Sequence, residues 1–381
     1  MKKYKLGEIG NVCMCKRILK EETNTVSGIP FYKIGTFGNK ADVYIAKEKF
    51  DEYKNKFSYP KKGDILISAA GTIGRTVIYD GSDSYFQDSN IVWIDNDETK
   101  VLNKYLFYCY KNIHWFTSKG STILRLYNDN IRNTEIVVPP LESQQKIAAV
   151  FSSLDDKIAL NRRLNAKLEQ MAKRLYDYWF VQFDFPCAGG RPYKNSGGKM
   201  VWNEELKREI PTGWEVKRFG DVIEIGNGKD HSYLENGTIP VYGSGGFMRS
   251  VTDYLYEGES VLFPRKGTLN NIMYKNEKFW TVDTMFYSKM KLPHLAIYIY
   301  YVAKQFDFVS MNTGTGVPSM TSVIIKGLPV IVPPQAILNA FDEKVQSLYI
   351  GINHNEKESE KLTVLRDKLL PLLMNGQVEV A

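Results

Sequence analysis

Five short segments of this chain occur twice in the same order, and that repetition limits the possible folds more than any other property of the sequence. Gly120-Ser121-Thr122 and Gly314-Thr315-Gly316 stand 194 residues apart, as do Ile136-Val137-Val138-Pro139-Pro140 and Val330-Ile331-Val332-Pro333-Pro334. Upstream the offset grows. Gly63-Asp64-Ile65-Leu66-Ile67 matches Gly258-Glu259-Ser260-Val261-Leu262 at 195, Gly71-Thr72 matches Gly267-Thr268 at 196, and Ile29-Pro30 matches Ile239-Pro240 at 210. Loops of unequal length produce such a drift. With 381 residues, the chain has room for two similar domains, each with its own core.

Each copy opens with short β-like runs separated by Gly and Asn, in the first copy at residues 64–68, 75–79, 91–94 and 135–138. A helical stretch interrupts them, near 104–115 in one copy and 295–309 in the other. After each Pro-Pro pair the periodicity changes. Ile147, Leu154, Asn161, Leu168 and Leu175 recur every seven residues, with Phe151, Ile158, Asn165, Ala172 and Trp179 as a second seam. The later helix repeats this with Phe341, Leu348, Asn355, Leu362 and Leu369, and with Val345, Ile352, Ser359, Arg366 and Leu373. Paired seams sustained over four heptads predict a coiled coil, in preference to two helices each packed on its own domain. Asn161 and Asn355 fall at matched positions near the two helix midpoints, where an antiparallel pairing brings them together and a buried amide selects register.

The predicted fold is therefore α+β: two similar mixed α/β domains and two long helices forming an antiparallel coiled coil, with a pseudo-two-fold internal repeat. The boundaries fall at 1–140 for the first domain, 141–186 for its helix, 187–212 for a linker, 213–334 for the second domain and 335–381 for the second helix. Residues 183–186 (Phe-Asp-Phe-Pro) close the first helix and Asn375-Gly376 caps the second, with Pro371 expected to kink or fray its last turns.

Hydrophobic residues make up 43% and charged residues 24%, and no run approaches the ~20 apolar residues that span a bilayer. The basic N-terminus leads into Gly7-Glu8-Ile9-Gly10 rather than an apolar stretch, so a secretory signal is not expected and the cytoplasm is. Cys13, Cys15, Cys109 and Cys187 lack metal-ligand spacing and read as apolar fillers. The net charge is +7, of which the helical segments 141–180 and 335–376 carry +2 and −1, leaving +6 elsewhere. A polyanion would find its surface on the domains.

Catalytic signatures are not found. The Pro-Pro pairs lack the Asn/Asp and aromatic neighbours of adenine methyltransferases, and the Gly-containing stretches match neither a dinucleotide fingerprint nor a P-loop. Asp64 with Glu98-Thr99-Lys100 imitates a metal-dependent nuclease, but copy two does not repeat the second half. No catalytic residue, metal site or cofactor is expected. Arg and Lys read guanine, Asn and Gln read adenine, and Gly-containing loops allow close backbone approach. Three loops per copy fit, at 68–75, 85–90 and 120–130, and at 229–233 with 242–244, 265–271 and 312–319. The candidate DNA contacts are Ser68, Thr72, Arg75, Gln87, Asn90, Arg125 and Asn128 in copy one. In copy two they are Lys229, His231, Tyr242, Ser244, Arg265, Lys266, Asn270, Asn312 and Thr315.

The order domain, helix, domain, helix resembles the specificity subunit of type I restriction–modification enzymes. Pro139-Pro140-Leu141-Glu142-Ser143-Gln144-Gln145-Lys146-Ile147-Ala148 resembles that family's first conserved region, as does the stretch from Leu175 to Pro186, which holds Tyr176, Tyr178, Trp179 and Phe180. Ile210-Pro211-Thr212-Gly213-Trp214-Glu215 resembles the entry to its second recognition domain. Copy two departs from the pattern with Gln335-Ala336-Ile337 at its helix start. The resemblance implies a non-catalytic subunit whose two target-recognition domains each read half of a bipartite site in double-stranded DNA. It also implies two adenine methyltransferase (M) subunits docked on the helices and restriction (R) subunits joining them. The contrasting reading is a stand-alone dumbbell that binds other proteins. If the first holds, the chain alone, given S-adenosylmethionine, DNA and divalent metal, should neither methylate nor cleave, and partner-free activity above background would overturn it.

Overall fold

The computed structural model describes residues 2–115 and 125–380, so Gly120-Ser121-Thr122 and the first half of the predicted 120–130 loop lie outside the described residues. The chain divides into two compact units. Unit 1 comprises Met1–Asn161 with Lys357–Ala381, and unit 2 comprises Arg162–Glu356. The division cuts both long helices, so that each helix contributes one half to each unit.

In unit 1 the strands are β1 (Lys2–Lys5), β2 (Gly10–Cys13), β3 (Thr23–Asn24), β4 (Ile29–Tyr32), β5 (Tyr44–Ile45), β6 (Ile65–Ser68), β7 (Thr76–Ile78), β8 (Tyr85–Phe86), β9 (Ile91–Asn96) and β10 (Glu135–Val138). The short helices are α1 (Lys47–Lys56), α2 (Asn103–Asn112) and α3 (Asn128–Asn133), before the long α4 (Leu141–Tyr176). Two four-stranded sheets run in the orders β2-β9-β6-β7 and β3-β5-β4-β8, and β1 pairs antiparallel with β10.

After the C-terminal half of α4, unit 2 has a hairpin of β11 (Met200–Asn203) and β12 (Arg208–Pro211), then β13 (Glu215–Arg218), α5 (Phe219–Val222) and β14 (Ile223–Asn227). The strands β15 (Asn236–Gly243), β16 (Gly246–Val251), β17 (Tyr256–Pro264), β18 (Met273–Thr281) and β19 (Met285–Met290) follow. Then come α6 (Ala296–Ala303), α7 (Ser322–Gly327), β20 (Pro329–Val332) and the long α8 (Gln335–Met374). One six-stranded sheet runs β14-β19-β17-β18-β15-β16, while β13 pairs antiparallel with β20 as β1 does with β10.

The repeat seen in the sequence is thus a repeat of topology, including its one unusual element. In each copy an Ile-Pro strand lies parallel to a later strand: β4 to β8 at Phe31–Tyr85 and Tyr32–Phe86, and β15 to β18 at Val241–Trp280 and Tyr242–Thr281. In unit 2 β18 pairs antiparallel with β17 from Met273 to Phe279 and then parallel with β15, which fuses the sheet. In unit 1 the same job is split between β7 and β8. Gly81, at φ +90°, turns the chain out between them, and the sheet divides. The paired glycines share a conformation as well. Gly63 and Gly258 have φ of +96° and +117°, and Gly71 and Gly267 of +65° and +88°, so a side chain at any of them would be strained.

The long helices run antiparallel in each unit. In unit 1 Asp155 faces Arg366 (Nη1 to Oδ1, 2.8 Å), and Asn161 Nδ2 donates to Glu358 Oε2 (2.7 Å) and Ser359 Oγ (3.2 Å). In unit 2 Asn355 Nδ2 donates to Asn165 Oδ1 (2.8 Å), whose own amide donates to the Ile352 carbonyl (3.2 Å). Gly351 lets Leu168 come close, since a Cβ there would stand 3.3 Å from Leu168 Cδ1. Phe151, Ile158, Ala172 and Trp179 of one seam and Ile147, Asn161 and Phe341 of the other are buried, whereas Leu154, Leu168, Leu175, Leu348, Leu362 and Leu369 are half-buried. The helices therefore pack on the domains as well as on each other. Ile147 and Phe151 join Leu373 and Met374 in the unit 1 core. Ala172, Tyr176, Trp179 and Phe180 join Leu338, Phe341 and Val345 in that of unit 2.

Gln144 shows what the Ser-Gln-Gln stretch does. Its side chain is wholly buried, accepts from the Leu102 amide (2.8 Å) and donates to the carbonyls of Lys100 (2.9 Å) and Pro139 (2.8 Å). Three backbone groups that would otherwise be orphaned are satisfied by one amide. In copy two Leu338 occupies the matched position, and Gln335 takes over part of the work by donating to the Pro293 carbonyl (2.9 Å).

Two expectations are corrected. The first helix stays α-helical only to Tyr176 and widens into a π-turn over Asp177–Val181. The segment 187–212 is no slack linker. Tyr193 stacks on Phe185 (4.6 Å), which stacks on Trp214 (5.1 Å), and buried Asp184 accepts from Asn195 Nδ2 (2.6 Å). Pro371 lies within the last turn of α8, and the expected cap at Asn375-Gly376 forms beyond it, with Gly376 at φ +70°. In unit 1 burial raises the Asp155 carboxyl, but hydrogen bonds from Arg366 and the charge of Lys111 outweigh it and hold the group below its usual range. A depressed carboxyl adds stability above its unfolded pKa and loses it as pH falls through the folded one. Asp155→Asn should therefore lower unfolding stability at pH 7 by ~1–3 kcal/mol in chemical denaturation, with the deficit shrinking as acid protonates the wild-type group.

Candidate nucleic-acid interface

The parallel pairs send the chain out of neighbouring strands at the same end. In unit 1 residues 33–39 leave β4 beside residues 87–90 leaving β8. They are tied by the Gln87 amide donating to the Tyr32 carbonyl (2.9 Å) and the Ile34 amide donating to Gln87 Oε1 (3.1 Å). The 68–75 loop joins them. Ala69 N donates to Asn90 O (2.7 Å), Leu126 N to Ala69 O (2.7 Å), and Arg75 Nη1 to the Phe37 carbonyl (2.8 Å). Gly74 has φ +80° and leaves no room for a Cβ, which would meet Trp115 Cδ1 at 2.4 Å. The 85–90 loop and Arg125 of the 120–130 loop border a cavity of about 820 Å³, and the 68–75 loop is tied to both through its backbone. Arg17, Lys20, Lys33, Gln87, Asn90 and Arg125 are among the residues lining the cavity.

Unit 2 assembles the matching loops. Lys229 N donates to Thr281 O (2.9 Å), Val282 N to Tyr242 O (3.1 Å) and Arg265 N to Thr284 O (2.8 Å). Gly267 N donates to Pro318 O (2.9 Å) and Asn271 Nδ2 to Ser244 O (2.9 Å), which draws in the 312–319 loop. A second cavity, of about 730 Å³, opens among Asp230, His231, residues 243–248 and residues 282–284. Asp230 is held below the usual carboxylate range by the hydroxyl and then the amide of Ser232 (2.6 and 3.0 Å).

Several sequence candidates serve the scaffold. Ser68 is 1% exposed. It donates to the Thr72 carbonyl and accepts from the Arg75 amide (2.9 Å), so its hydroxyl closes the loop. Gln87 and Arg75 brace residues 34–37, as described above. Tyr242 is buried with its hydroxyl on Glu277 Oε1 (2.8 Å). Asn312 accepts from Gly314 N (2.8 Å) and Ser319 N (2.7 Å) and donates to Gly314 O (3.0 Å), which fixes that loop from within. Asn270 donates to Asp307 Oδ1 (3.2 Å). Thr72, Lys229, Lys266 and Thr315 are exposed, and Asn90, Arg125, Asn128, His231, Ser244 and Arg265 are half-exposed. Arg125 reaches the Ser89 carbonyl (3.3 Å) and lies over the Tyr127 ring. Sequence reasoning missed Arg17, which pairs with Asp88 at 3.0 Å, and the exposed Phe247 and Met248. An apolar pair directly after Gly245-Gly246 was the available signal.

The nuclease-like residues are structural. Burial raises the Asp64 carboxyl, which accepts from the Lys61 amide (2.7 Å), and Glu98 accepts from the Asn103 amide (2.7 Å). Among the described residues no cluster of His, Cys, Asp and Glu is arranged to hold a metal ion, and no helix is long and apolar enough to cross a membrane. All four cysteines are free thiols, and burial pushes Cys15 up to about 12.

Repeated domains whose loops gather where a parallel strand pair ends, joined through long helices, define a two-domain recognition architecture. A family profile described as type I restriction modification DNA specificity domain matches residues 1–170 and again residues 211–359, and the chain belongs to that family. The MjaIX specificity subunit of Methanocaldococcus jannaschii is 32% identical over 351 residues, which cover 84% of this chain and 78% of that one. A putative specificity subunit of Haemophilus influenzae, S.HindORF215P, is 57% identical over 179 residues, 47% of this chain and 46% of its own length. In fold the chain resembles the crystal structure of a type I S subunit from M. genitalium. The TM-score is 0.64 at 17% identity, over 98% of this chain and 96% of that one. Specificity subunits are non-catalytic. They bind DNA and assemble with modification and restriction subunits.

If Arg125 and Arg265 contact base edges, Arg125→Ala and Arg265→Ala should each weaken binding by ~1–3 kcal/mol through a different half-site. Fluorescence anisotropy against duplexes altered in one half at a time would show it, and unchanged affinity in both variants would remove these residues from the interface.

Proposed function

We propose that this chain reads a two-part site in double-stranded DNA within a type I restriction–modification complex, each domain reading one half. The observation that carries the proposal is the pair of loop clusters. In each unit the two segments that leave the parallel strand pair line a concave surface, Lys33 with residues 87–90 in unit 1 and residues 243–248 with 282–284 in unit 2. Lys229, Lys266 and the hydroxyl groups of Thr72 and Thr315 suit phosphates, and Arg125, Arg265, Asn90 and Asn128 suit base edges. Two adenine methyltransferase subunits dock on the long helices, restriction subunits complete the assembly, and the complex works in the cytoplasm. Exposed Met171 and Tyr178, seven residues apart on the first helix and its π-turn, support a docking role, since bulky apolar groups on a charged helix call for a cover.

The test is a domain exchange. Replacing residues 213–332 with the matching segment of a homologous subunit, and mapping methylated adenines in cells that carry the partners, should change one half of the recognised sequence and leave the other intact. A change in both halves would show that the domains are not independent readers.

A further inference from the structure

The hairpin joining β15 to β16 carries two large apolar side chains where none is needed for packing. Phe247 is 58% and Met248 53% exposed, directly after the turn Gly243-Ser244-Gly245-Gly246, with Gly246 at φ +114°. Neither side chain is adrift. The Phe247 ring meets the edge of Tyr242 at 6.5 Å, and Met248 lies over Gly243 so closely that a Cβ there would come within 2.7 Å of Sδ. Both line the 730 Å³ cavity with Asp230, His231, Ser244 and Thr284.

The first copy treats the same place differently. At the repeat's offset of 210, Phe247 corresponds to Phe37, which is 1% exposed in the core of unit 1, with its carbonyl held by Arg75. One domain folds its phenylalanine in, and the other presents it. Burying a Phe side chain stabilises a fold, so presenting it gives up stability.

We propose that Phe247 and Met248 form a wedge that enters a base step of the half-site read by unit 2, and that the unstacked base edge faces the adjoining cavity. This rests on the DNA-reading function proposed above. The surroundings favour DNA over a protein partner. Lys229 and Lys266 are exposed and, among the described residues, take part in no ion pair, and Arg265 is tied through its backbone to Thr284 in the cavity wall. The carboxylates present, Asp230 and Asp283, line the cavity itself, where they suit the amino group of a base rather than a phosphate. Apolar wedges flanked by cations are a recurrent means of kinking a duplex. Unit 1, with Phe37 buried, makes no such insertion, so the two half-sites are read by physically different means.

The test uses the complete complex with its methyltransferase subunits and a duplex carrying the methylation-mapped site. 2-Aminopurine replaces each purine in turn except the methylated adenines. Emission should rise at one step in the unit 2 half and at none in the unit 1 half. The double variant Phe247→Ser, Met248→Ser should abolish the rise and weaken specific binding about tenfold, leaving binding to unrelated duplex unchanged. Phe247→Trp should keep both signals, which separates loss of a wedge from loss of fold. Specific binding by the wild type with no bright step would overturn the wedge while sparing DNA reading, as would a double variant that binds and brightens like the wild type. A Phe247-dependent change in self-association with DNA binding untouched would assign the patch to a second copy and overturn the proposal. Failure of the wild-type complex to bind the site would overturn the DNA reading itself.

Discussion

A parallel strand pair in an otherwise antiparallel sheet is the constraint on which the candidate interface depends. An antiparallel neighbour would send the next loop away at the opposite end. The parallel neighbour sends both loops out together. Tyr32 beside Phe86, and Tyr242 beside Thr281, are the residues at which this happens, and each loop cluster lies just beyond them. Such pairing is non-local, since more than fifty residues separate Phe31 from Tyr85, and it holds because the intervening strands complete a sheet with a buried face.

The division of labour between rigid frame and contact surface follows from burial. Where a polar side chain is enclosed, it must satisfy its partners locally, and Gln144 and Ser68 spend their hydrogen-bonding capacity on the backbone around them. Where a long cation is exposed, as at Lys229 and Lys266, the scaffold asks nothing of it. The interface consists of the groups that the fold leaves over.

The sequence made the repeat, the strand at residues 135–138, both helix starts and the C-terminal cap legible, because each rests on local chemistry: a Pro-Pro pair, a heptad, a glycine that must take positive φ. The matched glycines at 63 and 258, and at 71 and 267, carried conformational information in their identity alone. Tertiary partners were not legible. Nothing near Ser68 or Gln87 in the chain distinguishes a hydroxyl or amide that faces DNA from one that closes its own loop. The stretch 187–212 read as a linker because its order comes from stacking among Phe185, Tyr193 and Trp214 rather than from any periodic pattern. The helix α1 was missed for a similar reason: Lys47–Lys56 buries only Phe50 and shows no apolar stripe.

The sharing of the long helices also orders the assembly of the molecule in time. Unit 2 is one continuous stretch, Arg162–Glu356, whereas unit 1 is closed by Lys357–Ala381, whose Leu369, Leu373 and Met374 complete its core. During synthesis the first 161 residues must wait for the last 25, while everything between them can already fold. The first domain to leave the ribosome is the last to be finished, and its open core is the part of the nascent chain that most needs shielding from its neighbours.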